Sequence, residues 1–166
     1  MKITIILIIC TVIVLICVKQ IKRHTQAVKQ CFLVIDNIEI LLSYRNSSVD
    51  EIIHNLIQND LYNELSFLSV IESNINKNIN DYACNKNVYS CIDSLKLLDE
   101  KDKESIKAFL SMLGKSDLNG QIMNCQVYKE YFKNKYRSLE NKEIEKCKSI
   151  SAIIIGISLF IAIIIA

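Results

Sequence analysis

Few residues in this chain are of a type and spacing that could do chemistry. There are two histidines, His24 in a basic run and His54 beside an apolar helical stripe. A catalytic imidazole needs a nucleophile or an acid in reach, and a metal-binding one needs further ligands at short spacing. Both histidines read as partly exposed helix residues rather than as ligands. Cys84 and Cys91 stand in a polar stretch with six residues between them and no histidine close by. Structural zinc sites are built on two close ligand pairs, which this spacing does not supply. Asp99-Glu100-Lys101-Asp102-Lys103-Glu104 is a mixed-charge run, expected to be a solvated surface. With Gly114, Gly120 and Gly156 as the only glycines, no phosphate-cradling loop can be written. No enzyme is expected, and no cofactor or metal.

The elements that must position these groups are bounded by composition. Proline is absent, and the three glycines leave few positions for tight turns, which weighs against β-sandwiches and barrels. An all-α fold is expected. Both ends are apolar: residues 3–18 carry no charge, and neither do residues 149–166. All eighteen acidic residues and nineteen of the twenty basic ones lie between them, so the interior is close to neutral. A general nucleic-acid binder would need an excess of cations, and none is expected as a partner.

Residues 3–18 would make roughly 24 Å of helix at about 1.5 Å per residue, a little short of a ~30 Å hydrocarbon core. Lys2 and Lys19 can snorkel to make up the difference. A cleaved signal peptide is the competing reading, but no small-x-small cleavage site follows, only Lys19-Gln20-Ile21-Lys22-Arg23-His24. The expected division is therefore an N-terminal transmembrane helix (1–18), a helical body (19–148) and a C-terminal transmembrane helix (149–166). Ala152 with Gly156, and Ser158 with Ala162 on another face, have the spacing that lets helices approach closely in lipid. Such residues also occur in membrane helices that pack against nothing. Lys19, Lys22, Arg23 and Lys29 follow the first span, and Lys142, Lys146 and Lys148 precede the second. Basic flanks stay in the cytoplasm, which places the body there. The seven cysteines include no CxxC and are odd in number, as suits reduced thiols.

Within the body, Ile21, Thr25, Val28, Phe32, Ile35 and Leu42 make a helical stripe that continues the first span to about Tyr44-Arg45. Asn46-Ser47-Ser48 reads as a turn. Ser48 to Glu51 reads as a capping box for a second helix with Ile52, Ile53, Leu56 and Ile57 inward. A third helix is expected over 60–76, with Leu61, Leu65, Leu68, Ile71 and Ile75 on one side. Asn74 to Asn87 reads as frayed helix and loop, followed by helices near 88–98 and 102–113. Gly114 fits a left-handed residue closing a helix, Ser116 the N-cap of the next, and Asp117 its first turn. The last helix, 117–148, carries Leu118, Ile122, Cys125, Phe132, Tyr136 and Leu139 as its stripe. It is basic, with Lys129, Lys133, Lys135, Arg137, Lys142, Lys146 and Lys148 against Glu130, Glu140, Glu143 and Glu145. That bias suits anionic lipid or an acidic partner, and equally plain solubility. First and last helices are expected side by side and antiparallel.

Leu113-Gly114-Lys115-Ser116-Asp117 followed by Gln121 resembles the Leu-Gly-x-Ser-Asp-x-x-x-Gln signature of the stage III sporulation protein AB family. The resemblance extends to Ile38-Glu39-Ile40-Leu41-Leu42-Ser43-Tyr44-Arg45 and to the terminal apolar segment with Gly156. Two departures touch local geometry: Asn46-Ser47-Ser48 replaces a proline-containing turn, and Ile150-Ser151-Ala152 replaces a Leu-Gly opening. The resemblance implies a non-enzymatic platform in the channel between mother cell and forespore of endospore formers. It implies a bundle like the cytoplasmic part of type II secretion platform proteins, and a mother-cell membrane location. The implied partners are a secretion-type ATPase, other channel membrane proteins and, as a possible oligomer, further copies of the chain. A second reading is a membrane protein, holin-like or stress-responsive, whose basic helices act on membrane lipid.

Overall fold

The computed structural model describes residues 2–45, 48–62 and 64–165; side chains in the apolar ends are described only in part. Among the described residues six α-helices follow in order: α1 (Lys2–Arg45), α2 (Val49–Ile57), α3 (Phe67–Asn76), α4 (Lys86–Ser94), α5 (Glu100–Met112) and α6 (Leu118–Ile165). A 3-10 turn at Asp60–Tyr62 precedes α3, and the described residues contain no strand. The fold class is all-α, as expected.

The chain forms two compact units, Met1–Thr25 with Arg137–Ala166, and Gln26–Tyr136. In the first, α1 and α6 run together: Val18 and Ile21 share a shallow crevice with Glu143 and Lys146. Thr25 is buried and returns its hydroxyl to the Ile21 carbonyl at 3.2 Å. The expected membrane spans are not carried by the structure: no helix is long and apolar enough to cross a membrane among the described residues. Much of the apolar sequence that suggested the spans lies among side chains outside those described.

The second unit holds the core. Buried together are Val28, Cys31, Ile35, Ile38 and Leu42 of α1, Ile52, Ile53 and Leu56 of α2, Leu68 and Ile71 of α3, and Val88 and Ile92 of α4. Ile106, Phe109 and Leu110 of α5 and Cys125 and Phe132 of α6 complete it. Helices α2 to α5 each pack on the next in the chain. The stripe on α1 is wider than the spacing predicted, since Ala27 and Val34 are buried as well. A helix packed on more than one side buries more than one stripe. Packing is close: the hole among Cys31, Ile38, Ile53, Phe67 and Phe109 is about 10 Å³, no larger than one water.

Local signals set the boundaries, and several differ from the periodicity. The expected helix 60–76 is broken, because the Asn59 carboxamide accepts from the Leu61 amide at 3.1 Å and starts a turn. Tyr62 then turns inward, its hydroxyl meeting Asn37, while Leu61 is exposed. Ser48 does cap α2, accepting from the Glu51 amide at 3.4 Å; Asn46 and Ser47 of the expected turn lie outside the described residues. Asn85 caps α4 by accepting from Asn87 and Val88, and α4 stops at Ser94, short of Leu98. Asp99 caps α5, which begins at Glu100, two residues ahead of the expected start; its carboxylate accepts from the Asp102 amide at 2.9 Å. Between α3 and α4 the chain turns through Asn78 (φ 52°) and Asp81 (φ 54°), residue types that tolerate the left-handed region.

Candidate functional site

The family-like corner between α5 and α6 is built from its own side chains. Leu113 is buried and extended, ending α5. Gly114 has φ +75°, and an added Cβ would stand 3.2 Å from the Tyr82 hydroxyl, so both conformation and space call for glycine. Asp117, and not Ser116, caps α6: its carboxylate accepts from the Gly120 amide at 2.9 Å. The longer reach of Asp117 meets the third amide of the helix from the position just before Leu118. Ser116 contributes size and backbone instead. Its hydroxyl is buried without a hydrogen bond among the described residues, and its carbonyl accepts from the Gln121 carboxamide at 3.0 Å. Gly120, not singled out from the sequence, is tightly constrained. A Cβ there would lie 2.9 Å from Ser116 Oγ and Asp117 Oδ1. Lys115 points outward and ties the 77–85 loop to the corner, 3.2 Å from Asp81 Oδ1 and 3.2 Å from Cys84 Sγ.

The helix-end residues are far from the corner in sequence, and the pairing of α1 with α6 brings them to its level. Lys29 stands over the Tyr136 ring at 5.6 Å, Lys129 lies 3.3 Å from Asp36 and pairs with Glu39, and Gln126 donates to Glu39 at 3.2 Å. Ten residues forward on α1 thus match ten backward on α6, an antiparallel register. Continued for five residues, it brings Tyr44 level with Gln121. Glu39 belongs to the seam, whereas Arg45 is exposed and Tyr44 is 85% exposed.

Beside this seam lies an outward face without charge. Residues 118–128 contain no ionisable group except Cys125 and Tyr128, and residues 40–43 contain none. Met123 is 66% exposed and Val127 65%, with Ile40 and Tyr44 also exposed on α1. Glu39 faces α6, so its neighbour Ile40 stands to the outer side of the seam, and Tyr44 follows one turn on. On α6, Met123 precedes Gln126 by three residues and Val127 follows it by one. The four side chains therefore share one outer face. Leu118, expected inward, is exposed at the same end.

A second cluster was missed in the charge run 99–104, expected to be solvated. Asp102 is wholly buried and Lys103 nearly so. The Asp102 carboxylate accepts from the Tyr131 hydroxyl at 3.1 Å and from the Lys135 ammonium at 2.5 Å. The same ammonium reaches Asp99 at 2.5 Å. Burial works against the Asp99 carboxylate, but Lys135 and the Asp102 amide outweigh it and hold it below the usual carboxylate range. Lys103 donates to the Asp93 carbonyl at 3.0 Å, joining α5 to α4. The signal was in the helix phase: Asp102 falls in step with Ile106 and Phe109 on the buried side of α5.

Of the remaining candidates, His54 is exposed and bonds Glu72 at 3.0 Å and Gln58 at 2.9 Å. Cys84 and Cys91 are not paired with each other, Cys91 meeting the Ser66 hydroxyl at 3.3 Å. Ala152 and Gly156 are exposed, with nothing within 4 Å of a Cβ added at Gly156; the side chains of Ser158 and Ala162 lie outside the described residues.

The model of the family described as stage III sporulation protein AB matches residues 1–166, the whole chain. No curated protein and no solved structure was found to match it.

Proposed function

We propose, from the premise that this chain belongs to the stage III sporulation protein AB family, that it is a non-enzymatic platform for a sporulation assembly. Its apolar ends hold it in the mother-cell membrane facing the forespore, with the helical body in the cytoplasm. There it docks a secretion-type ATPase and organises other membrane proteins of the mother cell–forespore channel. The observation that carries the binding role is the charge-free outer face of Ile40, Tyr44, Met123 and Val127, set level with the family-like corner. Exposed apolar side chains gathered on one face, rimmed by charge, mark protein interaction sites. The corner beneath caps the start of α6, the helix that carries Met123 and Val127. Membrane attachment is supported by the two uncharged ends and the lysines that follow and precede them.

The test uses the full chain in a sporulating strain. Met123 and Val127 both project into solvent, so Met123→Glu with Val127→Glu should leave folding intact and remove co-purification of the secretion-type ATPase. Heat-resistant spores should fall with it. If the double variant binds the ATPase as the parent does, this face is not the docking surface. Normal spores from a deletion strain would end the platform reading itself.

A further inference from the structure

We propose that the paired α1 and α6 segments of the first unit carry a belt for anionic phospholipid headgroups, formed by Lys19, Lys22, Lys142, Lys146 and Lys148. The two lysine groups are more than a hundred residues apart in the chain. The crevice shared by Val18, Ile21, Glu143 and Lys146 brings α1 and α6 alongside each other at that level. Lys19 and Lys22 on one helix therefore stand beside Lys142, Lys146 and Lys148 on the other. All five are exposed, and none forms an ion pair among the described residues.

The acidic side chains nearby do not neutralise them. Glu143 is half-buried against the neighbouring helix, Glu140 is engaged elsewhere within the protein, and Glu145 is the exposed carboxylate that remains. Uncharged sequence begins one residue beyond each group, before Lys19 and after Lys148. A lysine stem lies along apolar surface while its ammonium reaches outward, so all five charges arrive at the headgroup depth. Lipid phosphates are the partner that fits. They form a plane of negative charge beside hydrocarbon, and attraction to them adds with each lysine near the surface. A free anion would need converging donors in a built pocket, whereas these ammonium groups are spread over two helix surfaces.

The belt rests on the membrane attachment proposed above, and the test separates the two. The full chain is reconstituted into phosphatidylcholine vesicles containing a trace of spin-labelled phosphatidylglycerol or spin-labelled phosphatidylcholine. The fraction of each label held immobile by the protein is then measured. The expected result is a several-fold preference for phosphatidylglycerol, reduced by high salt and brought to parity when all five lysines become Gln. Changing them to Arg should keep the preference, which separates charge from any effect on packing. Equal immobilisation of the two labels by the parent protein would overturn the belt while leaving membrane attachment standing. A preference that survives the Gln variant, or one abolished by millimolar inorganic phosphate at constant ionic strength, would overturn it too. A chain that fails to enter the vesicles at all would overturn the attachment, and the belt with it.

Discussion

Asp117 and Ser116 sit side by side in the corner and do different work. The Asp117 carboxylate holds the Gly120 amide, whereas the Ser116 hydroxyl is enclosed without a hydrogen bond among the described residues. Losing an N-cap costs about 1 kcal/mol, while removing an enclosed hydroxyl that bonds nothing is close to neutral. Asp117→Ala should therefore lower the melting temperature by about 3 °C and Ser116→Ala should barely move it. Thermal unfolding of the two purified variants decides this, and equal losses would restore Ser116 as a cap. The residue types at the corner were legible in sequence, because Gly, Ser and Asp each have strong local preferences. Which of Ser116 and Asp117 reached the helix was not, since a shift of one residue changes the amide in range. The burial of Asp102 was hidden for a related reason. A carboxylate reads as solvated until a distant ammonium, that of Lys135, is known to meet it.

Among the elements, α1 and α6 are held in register by charges where they pass through the second unit. Lys129 pairs with Glu39, with Asp36 at 3.3 Å, and the Lys129 and Glu39 side chains are 24% and 14% exposed. Partial burial lifts such a pair above the usual surface value, so Glu39→Gln and Lys129→Met should show a coupling of about 1 kcal/mol in a double-mutant cycle. Additive losses in chemical unfolding would mean that the register rests on apolar packing alone. The existence of α1, α2, α5 and α6 follows from long apolar periods and good caps. The break before α3 does not, because Asn59 and Tyr62 override a pattern that Leu61, Leu65 and Leu68 continue. Local hydrogen bonding at Asn59 and the pocket for Tyr62 decide that stretch, and periodicity contains neither.

At the scale of the whole molecule, the thiols report on topology. Cys31 and Cys125 are buried, and burial pushes the Cys125 thiol up to about 12 and Cys31 higher still, so both should resist alkylation. Cys84 and Cys91 are half-exposed and can be reached. If the body faces the cytoplasm, an impermeant maleimide should leave Cys84 and Cys91 unlabelled in intact cells and label them after lysis. Labelling in intact cells would place the body outside and reverse the proposed orientation. By itself, the amino-acid sequence determined the all-helical class, the two uncharged ends, most helix cores and the family-like corner, because each rests on residues close together in the chain. The tertiary structure alone decided what depends on distant partners. It put Tyr44 level with Gln121, turned Met123 and Val127 outward beside Ile40, enclosed Asp102 with Lys135, and set two lysine groups at one level. The first two hang on the register of α1 against α6 in the second unit, to which the Glu39–Lys129 pair belongs, the third on how α5 packs against α6, and no local pattern encodes either.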